Sequence, residues 1–324
     1  MLLVILEHDR GQLVESAREA LTFGRVLAEK MDTRLAAALI GSDDDGIVAV
    51  PGEYGAETVH TCVHDVVSDY GPDAFGAVVA QMIESLSPDA VLACGSDRGN
   101  EVMAQAAARL DVPFVANCTD VTPGDSWSLT RVQWGGSLLE DSTLTAEVPL
   151  LTCGLHSVAA EPGGDAAADN EEFDADLDDS HAVTIVRDRV VQEAGVTLPT
   201  APVVVGGGRG VGSEAGFGPL QELAELLGGR VGCSRAVTNL GWRPHSDQVG
   251  QTGTRIAPEI YIASGISGAI QHWVGAMASK HILAINTDRE ANMVVKADWA
   301  VIADLHEVVP AIAEEIRRRR AAGP

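Results

Sequence analysis

The 324-residue sequence is poor in lysine, in aromatic side chains and in long apolar runs. Lysine occurs only at Lys30, Lys280 and Lys296, and aromatic residues make up 4% of the chain. No apolar run approaches the ~20 residues that a membrane-spanning helix needs. The opening apolar stretch, Leu2–Leu6, lacks the basic lead of a secretory signal. We therefore expect a cytoplasmic protein without membrane insertion.

Positive charge is also scarce. The chain carries 47 acidic and 22 basic residues, a formal net charge of −25. Such a surface repels nucleic acid and anionic membranes, so we expect no nucleic-acid partner. The carboxylates are spread along the chain, which argues against an acidic catalytic patch. We interpret the excess as a solvated, halophilic surface, because high salt screens its self-repulsion.

The cysteines are few and lack metal-binding or disulfide spacing. They are odd in number and form no C-x-x-C motif; they stand at Cys62, Cys94, Cys118, Cys153 and Cys233. Several lie in apolar runs. The sequence therefore predicts neither a metal site nor a disulfide framework, but buried free thiols in a reducing compartment.

Short apolar runs alternate with helical periodicity in the first half of the chain. The pattern predicts strands over Leu2–Leu6, Arg34–Ile40 and Ala90–Cys94, and helices over Leu13–Met31, Ala74–Ser85 and Asn100–Leu110. This rhythm is typical of a largely parallel sheet with helices on both faces. We assign residues 1–160 to a first doubly wound α/β domain.

A strongly acidic stretch interrupts this rhythm. Residues 161–179 contain nine acidic residues and no basic one. The stretch has too little apolar surface to offset its ordering entropy, so we expect a mobile loop or linker over 161–182. A connecting strand and a hinge are expected over 183–200.

The last part, residues 201–324, has the pattern of a second doubly wound α/β domain. Its strand Val203–Val205 runs into a glycine-rich turn, and polar residues follow each later strand. In a doubly wound sheet the carboxyl ends of the strands face one crevice, where ligands bind. Backbone N–H groups there suit a pyrophosphate, Asn286 and Asp304 suit a ribose and an adenine, and Arg235 suits an anionic ring.

Each signal has a plainer reading when it is taken alone. Many glycine-rich turns bind nothing, Arg209 is explicable as a salt-bridge partner, Asp304 as a helix cap and His272 as a structural histidine. Their joint placement at strand ends favours a dinucleotide site. An NAD-dependent dehydrogenase would need a proton-transfer residue, and no convincing one is present. A nucleotide-binding regulatory module would leave Arg235, Thr252 and His272 without a purpose.

The second domain also carries recognisable segments, and these resemble the α subunit of electron transfer flavoproteins. They follow one another without gaps over about residues 201–316, and they are VGGGRG at 205–210, GCSRA at 232–236, DQVGQTG at 247–253, APEIYI at 257–262, GISGAIQH at 265–272 and AINTD at 284–288. The first half resembles that family's first domain more loosely, through GSDRG at 95–99 and the segment 106–118. Thr254 and Thr287 depart from the family, which usually has lysine there.

The resemblance implies an αβ heterodimer that holds FAD mainly in a Rossmann-like domain of this chain. The first domain would be nucleotide-hydrolase-like and would contact the β subunit. Electrons would come from dehydrogenases and pass to a quinone-linked or other acceptor, so the chain would be an electron carrier without catalytic residues. Whether the β subunit holds AMP or a second FAD stays open.

The resemblance also implies which residues surround the FAD. The ADP half or the pyrophosphate would lie at Arg209, Ser234, Ser267, Gly268, Ala269, Asn286, Asp304 and Leu305. The ring and the ribityl chain would lie at Arg235, Val249, Gly250, Gln251, Thr252, Ile270, Gln271 and His272. Arg235 and His272 would stabilise negative charge on the reduced ring, and the Thr252 hydroxyl would lie near N5. No general base is needed, because the cofactor carries the redox chemistry.

Overall fold

The computed structural model describes residues 1–9, 11–136, 138–164, 167–187 and 196–322. The chain divides into two compact units, one of Met1–Trp134 with Leu138–Val191 and one of Gly135–Ser137 with Gln192–Pro324. Both units are α/β structures built on sheets that are mainly parallel, as the alternating pattern predicts. Among the described residues, no helix combines the length and the apolar character that crossing a membrane requires.

The first unit contains one large sheet and a small hairpin. Its strands are β1 Leu2–Leu6, β2 His8–Asp9, β3 Gln12–Leu13, β4 Leu35–Ile40, β5 Thr58–Cys62, β6 Ala90–Cys94, β7 Phe114–Thr122, β8 Trp127–Gln133, β9 Leu138–Leu144, β10 Leu150–Cys153 and β11 Asp169–Glu172. Its helices are α1 Glu15–Met31, α2 Asp45–Val48, α3 Val50–Glu53, α4 Pro72–Leu86 and α5 Asp97–Leu110.

The strand order of the large sheet is β11-β5-β4-β1-β6-β10-β7-β8-β9. Pairing is parallel from β11 to β7 and antiparallel from β7 to β9. Consecutive residues of β1 face opposite cores: Leu2 and Val4 pack in one, and Leu3 and Ile5 in the other. Both faces of β1 are therefore buried, which explains its unbroken apolar sequence. The strands β2, β3, β5 and β7–β10 were not predicted.

The acidic stretch is partly a strand, so the expected loop over 161–182 is wrong in this part. Its residues Asp169–Glu172 form β11, which pairs in parallel with β5 at the edge of the sheet. All four side chains are exposed, because an edge strand gains its backbone hydrogen bonds without burying apolar surface. Upstream, the Glu161 carbonyl accepts a hydrogen bond from Arg25 at 3.1 Å.

The connecting segment also differs from the expectation. Of the strand expected near its start, residues 183–187 form none, and 188–191 lie outside the described residues. The expected hinge coincides with a turn at 198–200, closed by a hydrogen bond from the Thr200 N–H to the Thr197 carbonyl at 3.2 Å.

The second unit is a parallel sheet with helices. Its strands are β12 Val203–Gly207, β13 Arg230–Cys233, β14 Ile260–Ser264, β15 His281–Asn286 and β16 Trp299–Ile302. Its helices are α6 Gly218–Leu226, α7 Arg235–Asn239, α8 Ile270–Ala276, α9 Asn292–Lys296 and α10 Leu305–Ala322. The strand order is β13-β12-β14-β15-β16 and every pairing is parallel, so all the carboxyl ends lie at one edge.

Two cores cover the faces of this sheet. Val205 and Ile285 pack in one core with Leu220 of α6 and Val309 of α10. Val204, Tyr261 and Ala284 pack in the other core with Met293 of α9. Because β13 lies on one side of β12 and β14 on the other, the strand order reverses beside β12, and the loops after β12 and β14 leave toward the same edge.

Candidate functional site at the carboxyl edge of the second sheet

The strand ends of the second unit are tied to one another by backbone hydrogen bonds. The Gly208 N–H donates to the Ser264 carbonyl at 2.9 Å, and the Gly265 N–H donates to the Ile285 carbonyl at 2.9 Å. The predicted residues that lie in the loops after β12, β13, β14 and β16, or that end β15, are Arg209, Ser234, Ser267, Gly268, Ala269, Asn286 and Asp304. The structure therefore brings these residues to one edge of the sheet.

Glycines let the backbone loops approach closely at this edge. A Cβ atom on Gly208 would lie 2.1 Å from the Gly265 carbonyl oxygen. Gly268 has a positive φ of 76°, and a Cβ atom there would lie 2.4 Å from the Met293 nitrogen. A side chain at either position would thus collide with backbone. The loops after β12 and β14 form a cradle that only glycine permits at these points.

The loop after β14 presents unused backbone donors. Within the part of the chain that the structure describes, the N–H groups of Ser267, Gly268 and Ala269 donate no hydrogen bond. The loop is held from behind, because the Asn286 Nδ2 donates to the Ile266 carbonyl at 3.0 Å and the Met293 N–H to the Ser267 carbonyl at 3.2 Å. Such a run of N–H groups matches the oxygens of a pyrophosphate. Asn286 therefore supports the loop as well as lying at the edge.

Two arginines stand at this edge without a carboxylate partner. Arg209 and Arg235 are exposed, and neither makes an ion pair with the described residues. The salt-bridge reading of Arg209 finds no partner in this part of the chain, and both guanidinium groups are available to an anion.

Asp304 and Leu305 mark the far end of the edge. The Asp304 carboxylate accepts a hydrogen bond from the His306 N–H at 2.9 Å, which is the helix-cap role that its position also suggests. Leu305 is buried, and a Cβ atom on Gly265 would lie 2.7 Å from its side chain. Leu305 thus packs beneath the loop, whereas Asp304 is exposed at the edge.

The predicted ring-binding residues after β13 form a second wall. The Val249 N–H donates to the Cys233 carbonyl at 2.9 Å, and the Gln251 N–H donates to the Gln271 carbonyl at 2.7 Å. The second bond brings residues 249–252 against the start of α8, where Ile270 and Gln271 are exposed. Gly250 has a φ of 144°, and a Cβ atom there would lie 2.9 Å from the Gln271 oxygen. These predicted residues are therefore contiguous.

His272 is buried and does not face the solvent. Its ring is 6% exposed, and its Nε2 lies 2.8 Å from the Tyr261 hydroxyl oxygen. Burial lowers the pKa of His272 to about 4, against a smaller opposing effect of the Val249 carbonyl. Its Nδ1 makes no hydrogen bond of ordinary geometry. His272 is thus a neutral imidazole at neutral pH, with Nε2 beside the Tyr261 hydroxyl and with a buried Nδ1 that makes no hydrogen bond of ordinary geometry.

Two supporting residues, Gln248 and Tyr261, were not predicted. Gln248 is 2% exposed; its Oε1 accepts from Thr238 at 2.7 Å and its Nε2 donates to the Thr252 hydroxyl at 3.0 Å. Tyr261 is fully buried. A polar side chain inside an apolar stretch must find a partner, and this signal was available for Tyr261 but not for Gln248, which follows His245-Ser246-Asp247. The identity of the partner was available in neither case.

This arrangement fits a dinucleotide such as FAD. A glycine cradle with free N–H groups suits the pyrophosphate, and unpaired arginines suit anionic groups. The predicted free thiols are confirmed, since all five cysteines are buried and unpaired. No group of His, Cys, Asp and Glu among the described residues could hold a metal ion.

Comparison with known proteins gives a consistent result. Residues 197–277 match the family model of the electron transfer flavoprotein FAD-binding domain, and residues 2–178 match that of the electron transfer flavoprotein domain. The electron transfer flavoprotein subunit alpha of Thermoanaerobacterium thermosaccharolyticum is 32% identical, covering 97% of each chain. That of Bacillus subtilis is 35% identical, covering 98% of this chain and 97% of its own. Protein FixB of Azorhizobium caulinodans is 32% identical, covering 98% and 88%. The chain belongs to the electron transfer flavoprotein α-subunit family.

Proposed function

We propose that this α subunit holds FAD at the carboxyl edge of the β12–β16 sheet, in a Rossmann-like domain, and carries electrons as a heterodimer with a β subunit. FAD is the cofactor that the matched domain family binds, and it supplies the redox chemistry when bound. The observation that carries the proposal is that unused N–H groups at Ser267–Ala269 and two unpaired arginines, Arg209 and Arg235, lie at the same edge of one sheet.

The residues divide into two groups by the part of FAD that each would hold. The loops after β12, β14 and β15 would bind the pyrophosphate and the ADP half, with Ser234 and Asp304 at the two ends. Arg235, residues 249–252 and residues 270–272 would surround the ring and the ribityl chain. Arg235 would stabilise negative charge on the ring by its fixed cation, and Thr252, held by Gln248, would present its hydroxyl.

The chain would act by receiving and releasing electrons rather than by transforming a substrate. Members of this family are electron carriers, which supports this role. Dehydrogenases would be the donors and a quinone-linked protein the acceptor, with residues 1–160 contacting the β subunit. The family match does not favour the dehydrogenase or regulatory-module alternatives. A cytoplasmic location stays a prediction.

The direct test is to coexpress the chain with its cognate β subunit and to count the nucleotides in the purified complex. We expect a yellow 1:1 complex whose FAD is lost when the β subunit is removed, since the ring would lie between the subunits. A colourless complex that binds a nicotinamide nucleotide would contradict the proposal. A fully flavinated, stable α monomer would contradict the heterodimer.

The acidic composition supports a further part of the proposal, namely adaptation to high salt. At a net charge of −25, self-repulsion destabilises the folded chain, and salt relieves it by screening. We expect the midpoint of thermal unfolding to rise continuously between 0.1 M and 2 M KCl. An unchanged midpoint over this range would show that the surface is not tuned to salt.

A further inference from the structure

A buried tyrosine contacts the histidine of the site. Tyr261 is the second residue of β14 and is fully buried, with its ring against β12. A Cβ atom on Gly206 would lie 2.3 Å from the Tyr261 hydroxyl oxygen, so glycine is required beneath it. The hydroxyl lies 2.8 Å from Nε2 of His272. The orientation of the His272 ring is thus set from inside the core.

The direction of this hydrogen bond follows from what surrounds it. Among the described residues, the Tyr261 hydroxyl has His272 as its hydrogen-bond partner and no other. If Nε2 donated to Tyr261, the phenolic hydrogen would be buried without an acceptor, at a cost in stability. Tyr261 must therefore donate, and Nε2 must accept. Burial also raises the pKa of Tyr261, so the hydroxyl keeps its proton.

The position of the remaining imidazole proton then follows. A neutral imidazole carries one N–H, and a ring that accepts at Nε2 carries it on Nδ1. Burial keeps the ring neutral, with a pKa of about 4. Nδ1 makes no hydrogen bond of ordinary geometry, and the ring adjoins residues 249–251, which form the second wall of the site. The Nδ1–H is therefore buried among the ring-binding residues, where the Val249 carbonyl lies beside the ring without a hydrogen bond of ordinary geometry.

We propose that Tyr261 is a positioning residue that holds His272 in the tautomer protonated on Nδ1, so that His272 offers the bound flavin a hydrogen-bond donor and not a lone pair. The proposal rests on the proposed FAD binding. A donor stabilises negative charge on the ring, whereas a lone pair repels it. Tyr261 would thus tune the reduction potential without contacting the cofactor.

The substitution Tyr261→Phe tests this role, because it removes one oxygen atom and keeps the ring that packs on Gly206. Without the hydroxyl, Nε2 has no donor, and the two tautomers of His272 can exchange. We expect the one-electron reduction equilibrium of the αβ complex to fall up to about tenfold, which is about 59 mV for one electron. FAD content should stay near that of the wild type.

Nitrogen NMR of the complex labelled with 15N-histidine gives a readout that does not depend on electron transfer. In the wild type, the signals assigned through His272→Gln should show a protonated Nδ1 and an unprotonated Nε2, and Tyr261→Phe should abolish this asymmetry. Tyr54→Phe is the matched control, since Tyr54 is also buried but lies in the first unit. It should leave both the potential and the His272 signals unchanged.

The outcomes are separable. A wild-type His272 protonated on Nε2 would overturn the proposal even if Tyr261→Phe did not fold. An unchanged tautomer and potential in a folded Tyr261→Phe complex, with only lower stability, would reduce Tyr261 to a core residue. Loss of FAD binding in the wild type would sink the proposed function instead, and the tautomer could still be measured in the FAD-free complex.

Discussion

The two units carry parallel sheets whose carboxyl edges differ in chemistry. In the first unit, β1, β4 and β6 end around a cavity of about 140 Å³ with an apolar interior that includes Val67, Phe75 and Val102. Carboxylates of Glu7 and Asp69 also line it. In the second unit, the corresponding edge has close-packed glycine loops, unused N–H groups and arginines.

The two edges also differ in whether their arginine side chains are engaged by other residues of the protein. At the first edge, the Arg98 guanidinium lies 4.8 Å from the centre of the Tyr70 ring, and the Tyr70 hydroxyl donates to Glu101 at 2.8 Å. Arg98 is thus engaged within the protein. At the second edge, Arg209 and Arg235 have no described partner. One architecture therefore presents two different sites, and the loops rather than the sheet decide which of them suits a pyrophosphate.

The largest expected effect comes from filling the glycine cradle. Gly208→Ala would place a Cβ atom 2.1 Å from the Gly265 carbonyl oxygen, so the loops after β12 and β14 must separate. Overpacking of this kind costs about 1–3 kcal/mol, and the displaced loop carries the N–H donors. We expect FAD content in the αβ complex to fall at least about tenfold, measured by flavin absorbance per protein.

Gly218→Ala is the matched control. A Cβ atom there has no neighbour within 4 Å, and the residue begins α6 with an ordinary helical backbone. The control should retain FAD and gain slightly in helix stability. Equal loss of FAD in both variants would mean that the close approach of the two loops is not what holds the cofactor.

The next-largest effect should be a loss of stability on acidification, and it should be greater for the second unit than for the first. A histidine that is buried and neutral in the fold but free to protonate when unfolded makes stability fall as pH falls, because the unfolded state binds the additional proton. For His272 the window runs from its unfolded pKa of about 6.5 down to about 4. The loss is on the order of 3 kcal/mol over this window. Above pH 7 the effect is absent.

The first unit offers a weaker counterpart in His60. Burial lowers its pKa as well, but the Glu171 carboxylate opposes the shift. Calorimetry between pH 4 and pH 7 should therefore show a flatter pH dependence for His272→Gln than for the wild type, and a smaller change for His60→Gln. A larger effect of His60→Gln would reverse the comparison.

The sequence predicted the elements better than their supporting contacts. The runs Leu2–Leu6 and Ile260–Ser264 are apolar enough to identify buried parallel strands, and both predictions agree with the structure. In contrast, β11 consists of exposed polar residues, and only the open edge of β5 makes it a strand. The antiparallel strands β7–β9 depend on distant pairing in the same way.

The candidate site shows the same limit. Strand ends, glycines and arginines could be read from the chain because parallel topology alone collects them at one edge. The pairing of Tyr261 with His272, or of Gln248 with Thr252, depends on which side chains face each other across strands and loops. Spacing along the chain does not specify this.

A smaller effect, a change in the flavin reduction potential, is expected from substitution of Arg235. Arg235→Ala should lower the first reduction potential by on the order of 100 mV, because a charge pair near 4 Å is worth about 4 kcal/mol at an effective dielectric of ~20 and partial solvation leaves about 2 kcal/mol. Arg235→Lys should recover part of this, since the charge returns without the planar fork. Arg98→Ala in the first unit is the control and should leave the potential unchanged. A shift under ~20 mV for Arg235→Ala would remove its assigned role.

The smallest effect should come from the acidic edge of the first sheet. Asp169 and Glu172 are exposed at the two ends of β11, and no ion pair of either is present among the described residues. The double variant Asp169→Asn, Glu172→Gln keeps the backbone pairing with β5 and removes two negative charges. Surface changes of this kind alter the free energy of unfolding by less than about 0.5 kcal/mol, and the sign should be stabilising at low salt because like charges are removed. FAD content should be unchanged, since the pyrophosphate donors belong to the other sheet. Flavin loss in this variant, measured beside an unchanged unfolding midpoint, would show that the first unit takes part in cofactor binding and would break the contrast between the two edges.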